Sequence, residues 1–208
     1  MNAGAVLFDM DGVLVFSEDA WFLVYNETLE HFGHAPIPRE AFDAIYGNGT
    51  EADRDLYMPE RTVAEVDDAY RRFFATHLDA VRINKEAAPV LHELRARRIR
   101  TAVATNTNRP LAETILTLAG LLPLFDAVSC ADEAGAGKPD PAVLHLASKR
   151  LGVPLSSSLF LGDSRFDAAA AAATDVSFVG YRFGDGRRIE RLEGILDLLT
   201  SWEPVTVS

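Results

Sequence analysis

A single cysteine, Cys130, occurs in the whole chain, which excludes an intrachain disulfide framework and any cysteine-rich zinc site and fits a reducing compartment. Lysine is nearly as scarce: Lys85, Lys138 and Lys149 stand against seventeen arginines. Positive charge is in deficit overall, with 20 Lys+Arg against 31 Asp+Glu and a formal net charge of -11 over 208 residues. Such a surface has no nonspecific attraction for nucleic acid or anionic membrane, so neither is expected as a partner, and anion binding needs a local device. No apolar run reaches the roughly 18 residues of a membrane-spanning helix. The first residues show no basic segment leading into an apolar one, so no secretory signal is read and a cytoplasmic location is expected. Internal repeats and Pro/Gly/Ser-rich linkers are also missing, and the length suits one domain with a modest insertion.

Apolar residues, by contrast, are plentiful at 48%, enough to bury a sizeable core. Ala3 to Phe8 is a short apolar run that stops at Asp9, the pattern of a buried strand delivering polar residues from its C-terminal end. From Ser17 to Leu78 the periodicity is helical, with Trp21, Phe22, Tyr25, Leu29 and Phe32 recurring at three- and four-residue steps. Strands are then predicted at 100–105, 127–130, 158–161 and 176–181, alternating with helices, and a last helix is predicted over 188–199. Apolar strands separated by helices predict an α/β fold, a Rossmann-like three-layer core with a parallel sheet, and such sheets bind ligands at the carboxyl ends of their strands. The helical stretch after strand one reads as an inserted all-helical cap over that edge. The expected boundaries are 1–15 and 84–208 for the core and 16–83 for the cap.

The polar residues that follow each predicted strand converge on that edge: Asp9, Asp11 and Gly12, then Thr105 and Asn106, then Lys138, then Asp163 and Asp167. Carboxylates gathered in one cleft repel unless a cation or proton intervenes, and an oxygen-rich site with few dedicated ligands suits Mg²⁺, which shares its sphere with substrate phosphate. Lys138 adds a point positive charge for the same phosphate, and Thr105 a hydroxyl. The set reads as phosphoryl-transfer machinery in which Asp9, ending the first strand, is the nucleophile and Asp11 the general acid and then base.

These residues also carry a family resemblance. AspMetAspGlyValLeu (9 to 14), Thr105-Asn106, GlyLysProAspPro (137 to 141) and GlyAspSerArgPheAsp (162 to 167) occur in the order of four motifs of the haloacid dehalogenase-like superfamily. With the helical insertion they resemble its phosphoglycolate phosphatase and β-phosphoglucomutase-like branch across nearly the whole chain. The resemblance implies Mg²⁺ held by Asp9, the backbone carbonyl of Asp11 and Asp163, with Asp167 orienting the cluster. It implies phosphate held by Thr105, Asn106 and Lys138, and a magnesium-dependent phosphatase acting on a small phosphorylated metabolite through an aspartyl phosphate. The mutase branch has a cap histidine whose place falls here at Trp21, which argues against the alternative of a phosphomutase. The intact carboxylates argue against a noncatalytic phosphate-binding or regulatory module. Thr174-Asp175 replace the Ala-Gly step usual before the next strand, for which a local turn change is expected.

Other patterns yield less. Gly47-x-Gly49-x-x-Ala52 follows a helical segment instead of a strand, so it is read as a cap loop and not as a dinucleotide fingerprint. Thr50, Asp53 and Arg54 from that loop, together with Trp21, are candidates to read the leaving group. GlyAlaGlyLysPro lacks the first glycine and the Ser/Thr of a P-loop. Val13 spoils a calcium loop, and the five histidines show no metal-ligand spacing. Asp163 and Asp167 by themselves could be a helix N-cap and first-turn acid. Arg39, Arg54, Arg71 and Arg72 could meet a second anionic group on the substrate but are read as covering the outer face of the cap, and a monomer or homodimer is expected.

Overall fold

The computed structural model describes residues 4–200; Ala3, where the first strand is predicted to begin, and the two ends of the predicted core segments lie outside the described residues. The chain opens with β1 (Ala5–Phe8) and β2 (Val15–Phe16). Four helices follow: α1 (Glu18–His31), α2 (Arg39–Asp43), α3 (Thr50–Tyr57) and α4 (Val63–Phe74). It returns through β3 (Arg82–Ile83) into α5 (Ala87–Ala96), β4 (Arg100–Thr105), α6 (Arg109–Leu118) and β5 (Ala127–Cys130). Next come α7 (Ala131–Ala134), α8 (Ala142–Leu151), β6 (Ser158–Gly162), α9 (Arg165–Ala172), β7 (Ser177–Tyr181), β8 (Arg188–Ile189) and α10 (Gly194–Thr200).

Six strands form one sheet in the order β5-β4-β1-β6-β7-β8, every pair parallel. Alternation along the strands divides the core between the two faces. Val6, Phe8, Val103, Leu159 and Leu161 pack on one side with Leu91 of α5, Ile115 of α6 and Ile195 of α10. Ala5, Leu7, Ala102 and Phe160 pack on the other with Leu144 of α8 and Ala170 of α9. The alanine run 168–173 lets α9 approach the sheet: Ala170 and Ala171 are buried there. The result is the three-layer, Rossmann-like α/β arrangement, with β1 at the point where the chain changes direction across the sheet.

The helical segment leaves and rejoins the sheet through a short antiparallel ribbon in which Val15 pairs with Ile83 and Phe16 with Arg82. Within it, α4 is started by a reciprocal Thr62–Glu65 capping box. One expectation requires correction: Arg188 and Ile189 do not begin the last helix. They form β8, aligned with Gly180 and Tyr181 of β7, and the helix begins at Gly194. Burying Ile189 while leaving Arg188 exposed follows a two-residue period, and the free edge of β7 supplies the backbone partners that a helix would have supplied internally.

Candidate active site

Asp9 directly follows β1, its N–H donating to the Leu161 carbonyl at 2.8 Å, so the strand fixes the carboxylate at the sheet edge. The chain then turns at Gly12, where φ is +85° and a Cβ would meet Asp163 Oδ2 at 1.8 Å; only glycine permits this first turn to lie against the acid that follows β6. Asp163 follows β6. Asp167 sits one turn into α9, where Ser164, and not Asp163, is the N-cap, and Ser164 and Asp167 form a capping box. The capping role that sequence left open for Asp163 is therefore taken by its neighbour, and Asp163 faces the cleft.

Carboxylate oxygens of Asp9, Asp163 and Asp167 lie within 4.8 Å of one another. The Lys138 ammonium enters this group, donating to Asp9 Oδ1 at 2.6 Å, to Asp167 Oδ1 at 2.7 Å and to the Ala104 carbonyl at 3.1 Å. Burial, and then the charge of Asp167, hold the Asp9 carboxyl well above the usual carboxylate range against the pull of Lys138. The same two causes push Asp163 up to about 7. Burial works against the Lys138 ammonium, but Asp167 and Asp9 outweigh it and its pKa is raised. Three carboxylates against one ammonium leave two negative charges when all are ionised, the complement of one divalent cation in an all-oxygen donor set.

Asp11 stands apart from the acidic trio. Thr107 Oγ1 donates to its Oδ2 at 2.9 Å, while Trp21 Nε1 at 3.1 Å and the Ser17 hydroxyl donate to its Oδ1. Its carboxylate is thus gripped from the sheet side by Thr107 and from the helical segment by Trp21, whose ring is set edge-on against Tyr70 and tilted against Phe74. Asn106 also ties parts of the site together. Its Oδ1 accepts from the Lys138 N–H at 2.6 Å, and its Nδ2 donates to the carbonyls of Lys138 at 2.9 Å and Gly47 at 3.0 Å. Its side chain therefore positions Lys138, leaving Thr105, whose Oγ1 accepts from the Thr107 N–H, with its own hydroxyl proton free for an anion.

A cavity of about 350 Å³ opens between these residues and the helical segment, within the size range of small-ligand sites. Asp9, Asp11, Thr105, Asn106, Lys138 and Asp163 line it, as do Trp21 and Thr50. Asp167 lies behind this lining, fully buried. Arg54 is not among the lining residues: it pairs with Asp55 at 2.7 Å and Glu51 at 3.7 Å, where neighbouring acids on its own helix capture it. Thr50 donates to Asp67 at 2.6 Å while still facing the cavity. Cys130 is buried and its thiol is pushed up to about 12 by that burial, so it is inert packing.

Residues absent from the sequence reading are Ser17, Tyr46, Thr107 and Arg165. Thr107 follows the Thr105-Asn106 pair directly and could have been read as one more polar residue after β4. Tyr46 and Arg165 reach the cavity only because the loop after α2 and α9 meet there, and Ser17, just before α1, reaches Asp11 without lining the cavity.

Comparison with known proteins gives a consistent picture. A family model described as haloacid dehalogenase-like hydrolase matches residues 3–175. A phosphoglycolate phosphatase of Cereibacter sphaeroides is 32% identical over 191 residues, covering 85% of this chain and 86% of that protein. A HAD-superfamily hydrolase from Geobacter sulfurreducens superposes with a TM-score of 0.74 at 26% identity, covering 93% of this chain and 98% of that one. CbbY from Rhodobacter sphaeroides, solved with phosphate, shares the fold with a TM-score of 0.79 at 24% identity, covering 92% and 95%. With its acids at the strand edge and a match over most of its length, the chain belongs to the haloacid dehalogenase-like hydrolases, and its enzymatic class there is that of a phosphatase.

Proposed function

We propose that this phosphatase hydrolyses a small phosphomonoester through an aspartyl phosphate, with residues 16–83 serving as a helical cap over the core formed by 1–15 and 84–208. The observation that carries the reading is the placement of Asp9: a buried carboxylate at the switch point of the sheet, 2.6 Å from a buried ammonium and facing a cavity of small-ester size. Asp9 attacks phosphorus, the bond to the leaving oxygen breaks, and Asp11 gives that oxygen a proton. Water then attacks the phosphorus of the aspartyl phosphate, Asp11 takes its proton, and the Asp9 carboxylate is released with inorganic phosphate. Thr105 and Lys138 hold the phosphate oxygens, and Asn106 holds Lys138 in place.

The acidic set fits a magnesium ion by its donor chemistry and its two surplus charges. Asp9, Asp163 and the backbone carbonyl of Asp11 would hold it, and Asp167 would orient the cluster through Lys138. When bound, the ion supplies charge neutralisation for the transferring phosphoryl group. The cap contributes no histidine or lysine to the cavity lining among the described residues, so the cap histidine that the phosphomutase reading calls for has no counterpart there.

Phosphate release from a panel of small phosphomonoesters, with and without Mg²⁺, for the native enzyme and Asp9→Asn, tests this reading. Release should require both the metal and Asp9; release that survives Asp9→Asn removes the assigned nucleophile.

A further inference from the structure

The cap side of the cavity contains no lysine, arginine or histidine among the described residues that line it. Its most buried polar residues are Asp53, Tyr25 and Tyr70. Asp53 is 8% exposed and has neutral partners: the Tyr70 hydroxyl donates to it at 3.1 Å and the Asn48 side chain also bonds it. Burial pushes this carboxyl up to about 7. Tyr25, 2% exposed and lining the same cavity, has a buried hydroxyl with no hydrogen-bond partner. A buried carboxylate without a cation and a buried hydroxyl without a partner each carry a desolvation cost that a hydrogen-bonding ligand would offset.

Of the remaining charges on this lining, one is paired within the cap and the other belongs to the core. Asp43 is taken by Arg39 at 2.7 Å. Arg165, which lines the cavity from α9, donates to the Ala44 carbonyl at 2.8 Å and lies 4.9 Å over the Phe166 ring. An anionic leaving group would therefore meet Asp53 with no cap cation to compensate, whereas a hydrogen-bond donor would meet an acceptor.

We infer that Asp53, with Tyr25 and Tyr70, forms a specificity site that selects a phosphomonoester whose leaving group carries a hydrogen-bond donor, a hydroxyl or an ammonium, and rejects one bearing a second anion. The inference rests on the phosphomonoester reading and deepens it by naming the class of leaving group. Phosphoglycolate, named for the curated relative, carries the disfavoured carboxylate.

Three esters of matched size separate the cases: 2-hydroxyethyl phosphate, phosphoethanolamine and 2-phosphoglycolate. Turnover is measured on the native enzyme with Mg²⁺, and binding by calorimetry on Asp9→Asn, so that ranking does not depend on chemistry. One or both donor-bearing esters should exceed phosphoglycolate by roughly tenfold or more in kcat/KM and bind with a Kd lower by a similar factor, and the better of the two tells hydroxyl from ammonium recognition. Asp53→Asn should draw the ratios toward one. Tyr25→Phe, which breaks no hydrogen bond within the protein, should weaken the preferred ester alone and keeps the test decisive if Asp53→Asn fails to fold. Phosphoglycolate ranking first, no binding of either donor-bearing ester, or ratios unmoved by both variants overturns the inference. Binding in the expected order without phosphate release would instead sink the catalytic reading and leave the specificity site standing.

Discussion

The sheet wall of the cleft and the cap wall both bury carboxylates, and they settle the charge in different ways. On the sheet side Asp9 and Asp167 share the Lys138 ammonium at 2.6 and 2.7 Å, and Asp163 stands beside them with charge left over. On the cap side Asp53 has only a tyrosine hydroxyl and an asparagine for company. In the proposed reading the first arrangement serves a phosphate and a cation, whose charges would complete it. The second tolerates a carboxyl by raising its pKa and is tuned to whatever donates a hydrogen bond. Under the proposed reading chemistry and selection are separated: the reacting atoms meet elements of the sheet, and the leaving group meets the inserted helices.

The heaviest blow to the sheet wall is Asp9→Asn, which should lower phosphate release by ~10³-fold or more while leaving the thermal transition in place, as steady-state assay and circular dichroism would show. Next, Lys138→Met strands Asp9 and Asp167 as unpaired buried carboxylates, and chemical denaturation should show a loss of about 3 kcal/mol or more. If stability is unchanged, the two acids do not depend on the lysine for their charge.

On the cap wall, Asp53 titrates near 7 in the folded protein against an ordinary value of 3.8, so folding favours the protonated form between those values. The stability this group contributes is whole below the ordinary value and is lost as pH rises through 7. Asp53→Asn lacks that loss, so its melting temperature relative to the native protein should climb by roughly 5 °C between pH 5 and pH 9. A parallel pair of pH curves would refute the assignment. Smallest of all, Trp21→Phe keeps a ring beside Tyr70 and Phe74 but removes the donor to Asp11, one of the contacts joining the two walls. It should cost about 1 kcal/mol of transition-state stabilisation, read as a several-fold fall in kcat with KM little changed.

Much of the sheet wall was legible because parallel strands announce themselves as apolar runs that stop at a polar residue. Asp9, Thr105 and Asp163 each follow such a run, and the fold brings strand ends together by construction. The cap wall was less legible. Arg54 looked like a reader of substrate and is instead held by Asp55 and Glu51, while Asp53 beside it turns inward to Tyr70. Adjacent residues on a helix face different directions, and no local pattern says which of them the next helix will cover. Arg188–Ile189 failed for a related reason: two residues carry too little periodicity to be told from the start of a helix, and only the open edge of β7 decides.

The α/β layering, the helical insertion after β1 and the row of polar residues at the strand ends were written in the chain, since each follows from local periodicity and from breaks in it. Folding in three dimensions was needed for Lys138 to bridge Asp9 and Asp167, for Trp21 and Thr107 to grip Asp11 from opposite walls, and for Asp53 to be buried without a cation. Those contacts join residues 10 to 129 positions apart. Hydrogen bonds and charge pairs between such residues depend on distances of a few ångströms that packing sets and that spacing along the chain does not.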